Sequence, residues 1–227
     1  MTATPYWNRR EAGEHLGNRL AGTPGELIVI ALPRGGVPVG AEVARALSCP
    51  FDVLVVRKLG VPSHPELGFG ALAEHGIRVL NEPLVHGMGI TERAIDDAAA
   101  VERLELERRV EAYRRGRPML PVGGKVVIVV DDGMATGFTA MAAVEALRLL
   151  GPEQVILAVP VAPTDAVEDL GAVADEVIVL QTPAYFGSVG EWYDDFEQVS
   201  DNEVADIVAE LAGEAAAPAD DAGQRRG

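Results

Sequence analysis

The sequence predicts one α/β domain built on a doubly wound, mainly parallel sheet, and three observations carry that expectation. Unalternating apolar runs rich in Val and Ile, "ELIVIAL" (26–32), "KVVIVV" (125–130), "VILAVPV" (155–161) and "EVIVL" (176–180), read as strands buried on both faces. The segments between them place apolar residues every three or four positions, which is the period of a helix. Strand and helix therefore alternate, an order that requires crossover connections and helices on both faces of the sheet.

The elements follow in chain order. Asn8 and Glu11 stand as an N-cap and its reciprocal acid, and Leu16 and Leu20 share one face of a first helix. After the first strand and a "PRGG" turn, Val39, Val43 and Leu47 recur every four residues in a helix that packs back on the sheet. "FDVLVV" (51–56) reads as the second strand. Residues 57–70, "RKLGVPSHPELGFG", hold two prolines and three glycines without a hydrophobic period and are expected to form a long surface loop. "GALAEHGIRVLN" (70–81) reads as a hairpin turning near His75 and Gly76. Between Thr91 and Arg115, Glu105 precedes Arg109 and Glu111 precedes Arg115 by four, as on an exposed helix with a solvated charged face. Further helices are expected near 137–150, 165–172 and 202–212, with an aromatic-rich segment at 183–200 outside the alternation. The domain is expected to span 1–212, and 213–227, "GEAAAPADDAGQRRG", to be a disordered tail.

Composition narrows the partners. The 227 residues include 35 acidic against 19 basic, a formal charge of −16 that opposes binding to bulk nucleic acid or an anionic membrane. Small molecules fit better. The single cysteine, Cys49, excludes an internal disulfide framework and suits a reducing cytoplasm. The four histidines, His15, His64, His75 and His86, lack zinc-like spacing. The opening residues lack the apolar core of a signal peptide, and no apolar run approaches the roughly 20 residues that span a bilayer.

The chemistry concentrates in "VVIVVDDGMATGFTAMAAVEALR" (126–148). Asp131 and Asp132 end a buried strand, where their mutual repulsion grows and a cationic or hydroxyl-rich partner is needed. Gly133 and Gly137 permit tight backbone geometry, Thr136 and Thr139 add hydroxyls, and the first turn of the following helix offers free N–H groups to a phosphate. Ala140, Ala143, Val144 and Leu147 mark that helix's buried face. No G-x-x-x-x-G-K-[ST] motif is present, and "GFGALA" (68–73) matches G-x-G-x-x-A but precedes a hairpin rather than a helix. Alone, Pro33–Gly36 reads as an ordinary turn, Arg57–Lys58 as equally a solvated pair, and Tyr185, Phe186, Trp192, Tyr193 and Phe196 as packing.

"VVIVVDDGMATGFTA" resembles the 5-phosphoribosyl pyrophosphate (PRPP) signature of the type I phosphoribosyltransferases: an apolar strand, two acids, small residues, Thr-Gly and a further Thr. "LPRGG" resembles that family's pyrophosphate loop, 57–70 its flexible lid beside the hairpin, and 183–200 its small variable hood. Together with "ALPRGGVPVGAEVA", "VRKLGVPSHPELGFGA" and "FGSVGEWYDDFEQVSDNEV", the chain looks like a group of bacterial predicted phosphoribosyltransferases of undefined acceptor, over about residues 6–211. The resemblance implies that Asp131 and Asp132 hold the ribose 2- and 3-hydroxyls, directly or near Mg²⁺. It implies that Ala135, Thr136, Gly137, Phe138 and Thr139 wrap the 5-phosphate, with Gly133 also in the PRPP site. Arg34, Gly35 and Gly36 would receive pyrophosphate in a loop that often contains a cis non-proline peptide, with Arg57 and Lys58 adding positive charge. Tyr185 or Phe186 would stack on a planar acceptor, and Glu66 in the lid would be the general base. Ala135 stands where enzymes acting on 6-oxopurines carry a carboxylate, which argues against hypoxanthine or guanine as acceptor. The resemblance further implies PRPP and a small-molecule acceptor as partners, and a homodimer. Two other readings stay open: a non-catalytic PRPP or nucleotide sensor, and an unrelated Mg²⁺-dependent phosphatase or phosphotransferase.

Overall fold

The computed structural model describes residues 4–61 and 64–216, with the side chains of 64–66 and 214–216 outside that description. In chain order the elements are α1 (Arg9–Leu20), β1 (Leu27–Ala31), α2 (Gly36–Leu47), β2 (Phe51–Val53), β3 (Val56–Val61), β4 (His64–Ala73) and β5 (Arg78–Leu80). Then follow α3 (Glu82–Gly87), α4 (Glu92–Arg114), β6 (Val126–Val130), α5 (Phe138–Arg148), β7 (Gln154–Val161), α6 (Thr164–Leu170), β8 (Glu176–Gln181) and α7 (Asp201–Ala216).

Five strands pair in parallel in the order β2-β1-β6-β7-β8. The two-residue period of a strand sorts its apolar side chains between two cores. Val29, Ile128, Val130 and Ile156 face Leu16 of α1, Val43 of α2 and Val204 of α7. Their neighbours Ile30, Val127, Val129 and Leu157 face Val144 and Leu147 of α5 and Leu170 of α6. This is why the runs do not alternate: both faces are covered, and each buried aliphatic side chain contributes roughly 1.5–3 kcal/mol.

The first helix starts as expected, with Asn8 Oδ1 accepting from the Glu11 N–H at 3.0 Å. The Glu11 carboxylate reaches back to the N–H of Trp7 rather than of Asn8. Gly13 and Gly17 face α2 so closely that a Cβ at either would lie 2.6 Å from Val39 O or from Ala46 Cβ. α1 therefore lies against α2 at backbone distance.

Several expectations are corrected. The strand expected over 51–56 ends at Val53, and Val56 already begins β3. Of residues 57–70, expected to be a loop, 57–61 and 64–70 lie in an antiparallel ribbon of β3 with β4, and β4 pairs in turn with β5 across the expected turn at His75. The ribbon's register shifts between Leu59 and Val61, and its glycines interrupt the side-chain alternation that would have revealed it. Pro62 and Ser63 lie outside the described residues, as do 217–227 of the expected tail, whereas α7 continues to Ala216. The short helix α3 was not expected, although Asn81 caps it by accepting from Leu84 N at 3.0 Å and Pro83 stands in its first turn.

The charged helix α4 is solvated along most of its length but buries Ile95, Ala99, Leu106 and Tyr113. At its end, Arg114 is also buried, against expectation for a charge run. Its guanidinium donates to Asp52 at 2.9 Å, to both carboxylate oxygens of Glu74 and to Val53 O. The acids accept further from the backbone N–H groups of Val53, Leu120 and Val55. Burying three charges requires this degree of pairing, and the cluster ties the base of the ribbon to β2 and α4.

Candidate functional site

The chain runs from β1 outward to β2, then returns to β1's other side at β6, so the sheet's order reverses between β1 and β6. Ligands of open parallel sheets bind in the crevice beyond the C-terminal strand ends at such a reversal. Ala31 pairs with Val130, the last residues of the two strands, so the loops that follow them lie side by side. One is Pro33–Gly36, with a cis Pro33–Arg34 peptide, and the other begins with Asp131 and Asp132.

The two loops touch through glycine. A Cβ at Gly35 would overlap the Asp132 carboxylate, standing 2.6 Å from its Cγ. At Gly36 it would stand 2.7 Å from Val130 O and 2.8 Å from Asp131 Cα. Side chains at either position would push the acid pair aside.

The repulsion between the acids is answered by the fold. Asp131 Oδ1 accepts from Asp132 N at 2.9 Å, and Asp132 Oδ2 accepts from Arg9 Nε at 2.8 Å. Arg9 also donates through Nη1 to Glu197 O at 2.8 Å, and its guanidinium carbon lies 3.8 Å from the Phe196 ring centroid. The Tyr193 hydroxyl donates to Asp132 O, and its ring stacks on Phe196 at 5.2 Å. Burial, then the Asp132 charge, holds the Asp131 carboxyl well above the usual carboxylate range. Burial also raises Asp132, against the opposing pull of Arg9. Burial and the nearby Asp132 charge push the Tyr193 phenol up, which keeps it a donor.

Next to the acids, Asp131 and residues 133–140 line a cavity of about 220 Å³. The helix beyond, α5, begins at Phe138 after a Gly137 cap, and its first intrahelical bond is Met141 N to Gly137 O at 2.8 Å. The N–H groups of Phe138, Thr139 and Ala140 therefore have no acceptor within the helix. Ala135, Thr136 and Thr139 are exposed at the mouth. An open cup of main-chain donors at a helix start suits a phosphate monoester.

Other candidate residues lie elsewhere. Arg34 turns toward the start of α7, 3.7 Å from Asp201. Arg57 is paired with Glu102 of α4 at 2.7 Å, and Lys58 lies over Gly68 within the ribbon. Glu66 lies on β4, with its side chain outside the description. Tyr185 is 92% exposed and Phe186 partly buried, both in the segment before a 3-10 turn at Val189–Trp192. Among the described residues no group of three or more His, Cys, Asp and Glu side chains could cage a metal. Two adjacent carboxylates do fit Mg²⁺ as it commonly binds, through one or two acids with the remaining positions taken by water and substrate oxygens. No helix among the described residues is long and apolar enough to cross a membrane.

Sequence reasoning missed Arg9. One signal was available: a cation in the first turn of a helix opposes the dipole and calls for a compensating partner.

Comparison with known proteins agrees with this geometry. The family described as "Phosphoribosyl transferase domain" matches residues 12–195. Two Mycobacterium tuberculosis proteins, from strains CDC 1551 and H37Rv and each named "Putative phosphoribosyl transferase", are 50% identical over 198 residues. That match covers 87% of this chain and 45% of each relative, so the chain spans under half the length of these curated relatives. The crystal structure of TT1426 from Thermus thermophilus superposes with a TM-score of 0.83 at 41% identity, covering 92% of this chain and 99% of that one. With the family's domain matching most of the sequence and this fold shared nearly end to end, the chain belongs to the type I phosphoribosyltransferase family.

Proposed function

We propose that the protein transfers the 5-phosphoribosyl group of PRPP to a small acceptor, a nucleobase-like nitrogen heterocycle, with release of pyrophosphate. The observation that carries this reading is the acid pair at the β1/β6 reversal, walled by Gly35 and Gly36 and adjoining the main-chain cup of 133–140. The cup takes the 5-phosphate through the α5 N–H groups and Thr136 and Thr139. Asp131 and Asp132 accept hydrogen bonds from the ribose hydroxyls, so the carboxylates address the neutral part of an anionic substrate. The main-chain N–H groups of Arg34 and Gly35 face the diphosphate, since Pro33 has none and the Gly36 N–H donates to Leu32 O at 3.1 Å, with the Arg34 side chain at its edge.

Held at both ends, the ribose presents C1 in a fixed orientation, and positioning together with preorganised electrostatics supplies most of the rate. Mg²⁺, held at Asp131 and Asp132 directly or through water, would neutralise diphosphate charge when bound with the substrate. The β3–β4 ribbon acts as the lid that excludes water and brings Glu66 as general base, while Tyr185 and Phe186 form the hood over the acceptor. Ala135, with no carboxylate, directs the choice away from 6-oxopurines. We assign the protein to the cytoplasm as a homodimer, the first from its lone cysteine and the second from its family.

Calorimetry with PRPP and Mg²⁺ tests the cradle, and pyrophosphate release across a panel of bases tests transfer. Binding followed by release with one base class is the expected result. No binding would overturn the reading, and binding without release for any base would replace it with a PRPP-sensing protein.

A further inference from the structure

We propose that Arg9 is a positioning residue for Asp132 and thereby sets how strongly the site distinguishes ribose hydroxyls; this rests on the functional reading above. Arg9 occupies the first position of α1, where a cation is disfavoured by the helix dipole, yet its side chain is only 11% exposed. A residue that breaks a local rule and is then fastened on three sides has a task elsewhere in the fold. Here Nε holds Asp132 Oδ2 at 2.8 Å, Nη1 holds Glu197 O at 2.8 Å, and Phe196 supports the guanidinium plane at 3.8 Å. Tyr193 fixes the same aspartate from behind, donating to its carbonyl oxygen. Asp132 is thus gripped at carboxylate and main chain by residues from near both ends of the chain.

A carboxylate accepts about four hydrogen bonds, so Arg9 and the neighbouring Asp131 carboxyl orient the group without exhausting it. The planar fork matters. Only a guanidinium reaches the aspartate and Glu197 in one plane while stacking on a ring, which a lysine ammonium cannot reproduce. Arg9 itself touches no reacting atom.

The test compares binding of ribose 5-phosphate with its 2-deoxy and 3-deoxy analogues by calorimetry. Wild type should prefer the full ribose over at least one deoxy sugar by about tenfold, the worth of one hydroxyl bonded to a carboxylate. Arg9→Ala should bring that ratio near unity, chiefly by weakening the ribose sugar, and Arg9→Lys should restore only part of it. A merely structural role would weaken all three sugars together and leave the ratio intact, which would overturn the inference. Should Arg9→Ala fail to fold, Arg9→Lys carries the test alone, since Phe196 also supports Tyr193; a ratio unchanged from wild type in Arg9→Lys overturns it equally. Wild type binding all three sugars alike, or none of them while PRPP with Mg²⁺ still binds, would also overturn it while sparing the cradle, and wild type binding neither these sugars nor PRPP would bring down the functional reading as well.

Discussion

Replacing Arg114 with methionine keeps an unbranched apolar stem as far as the Nε position but removes the guanidinium cation that Asp52 and Glu74 share. Both acids are buried, at 3% and 4% exposure, and neither can turn to solvent. Their remaining donors are three backbone N–H groups, of Val53, Leu120 and Val55. Breaking a buried ion cluster on one side costs about 3–5 kcal/mol, and the surviving N–H bonds place the expected loss near the lower end, about 3 kcal/mol. For a domain of this size that is a fall in Tm of about 10 °C. Urea denaturation followed by circular dichroism measures it, with an unchanged slope showing that the unfolded state is the same. Changing Asp52 and Glu74 to apolar residues as well should not restore stability, because it would orphan those three N–H groups. A loss below about 1 kcal/mol for Arg114→Met would refute the cluster's role as the anchor of the ribbon.

Four further outcomes are expected. Gly36→Ala forces a Cβ to within 2.7 Å of Val130 O, on the backbone of a central strand that cannot yield, so it should cost about 1–3 kcal/mol in urea denaturation and abolish PRPP binding in calorimetry. Asp131→Asn should raise stability at neutral pH. The raised carboxyl makes the native state bind more protons than the unfolded chain above the ordinary value of 3.8, so wild-type stability falls as pH climbs from there, and the advantage of the variant should vanish toward pH 4 in thermal melts. Glu66→Gln should lower turnover at least tenfold with PRPP affinity unchanged, and wild-type turnover would remove the residue from the mechanism. Tyr185→Leu with Phe186→Leu should raise the acceptor KM several-fold and leave PRPP binding alone, and unchanged acceptor kinetics would reject the hood assignment.

The features legible in the sequence were those written in contiguous residues. A strand covered on both faces is an unbroken apolar run, and Ile28–Ala31 and Val126–Val130 carry that property in the letters themselves. The acid pair and the cup were legible for the same reason, since residues 131–139 are one loop and one helix start. The β3–β4 ribbon was not, because Gly60, Gly68 and Gly70 contribute no side chain to an alternating pattern and the register shifts beside them. The Arg9–Asp132 pair spans 123 residues and the Arg114 cluster joins positions 52, 74 and 114; partners so distant are brought together only by the folded topology. Arg34, whose side chain leans toward Asp201, shows the converse: a motif residue's name does not reveal its direction.

The close seam between α1 and α2 makes the Arg9–Asp132 contact sensitive to a place it never touches. Gly13 lies four residues from Arg9, about 6 Å along the helix axis, and its neighbour on α2 leaves 2.6 Å where an ordinary contact takes 3.4 Å or more. A methyl group there would lever the helix outward by nearly 1 Å, several times the slack of a short ionic hydrogen bond. A side chain at this remote glycine would thus shift Arg9 against Asp132 while every residue lining the crevice stayed intact.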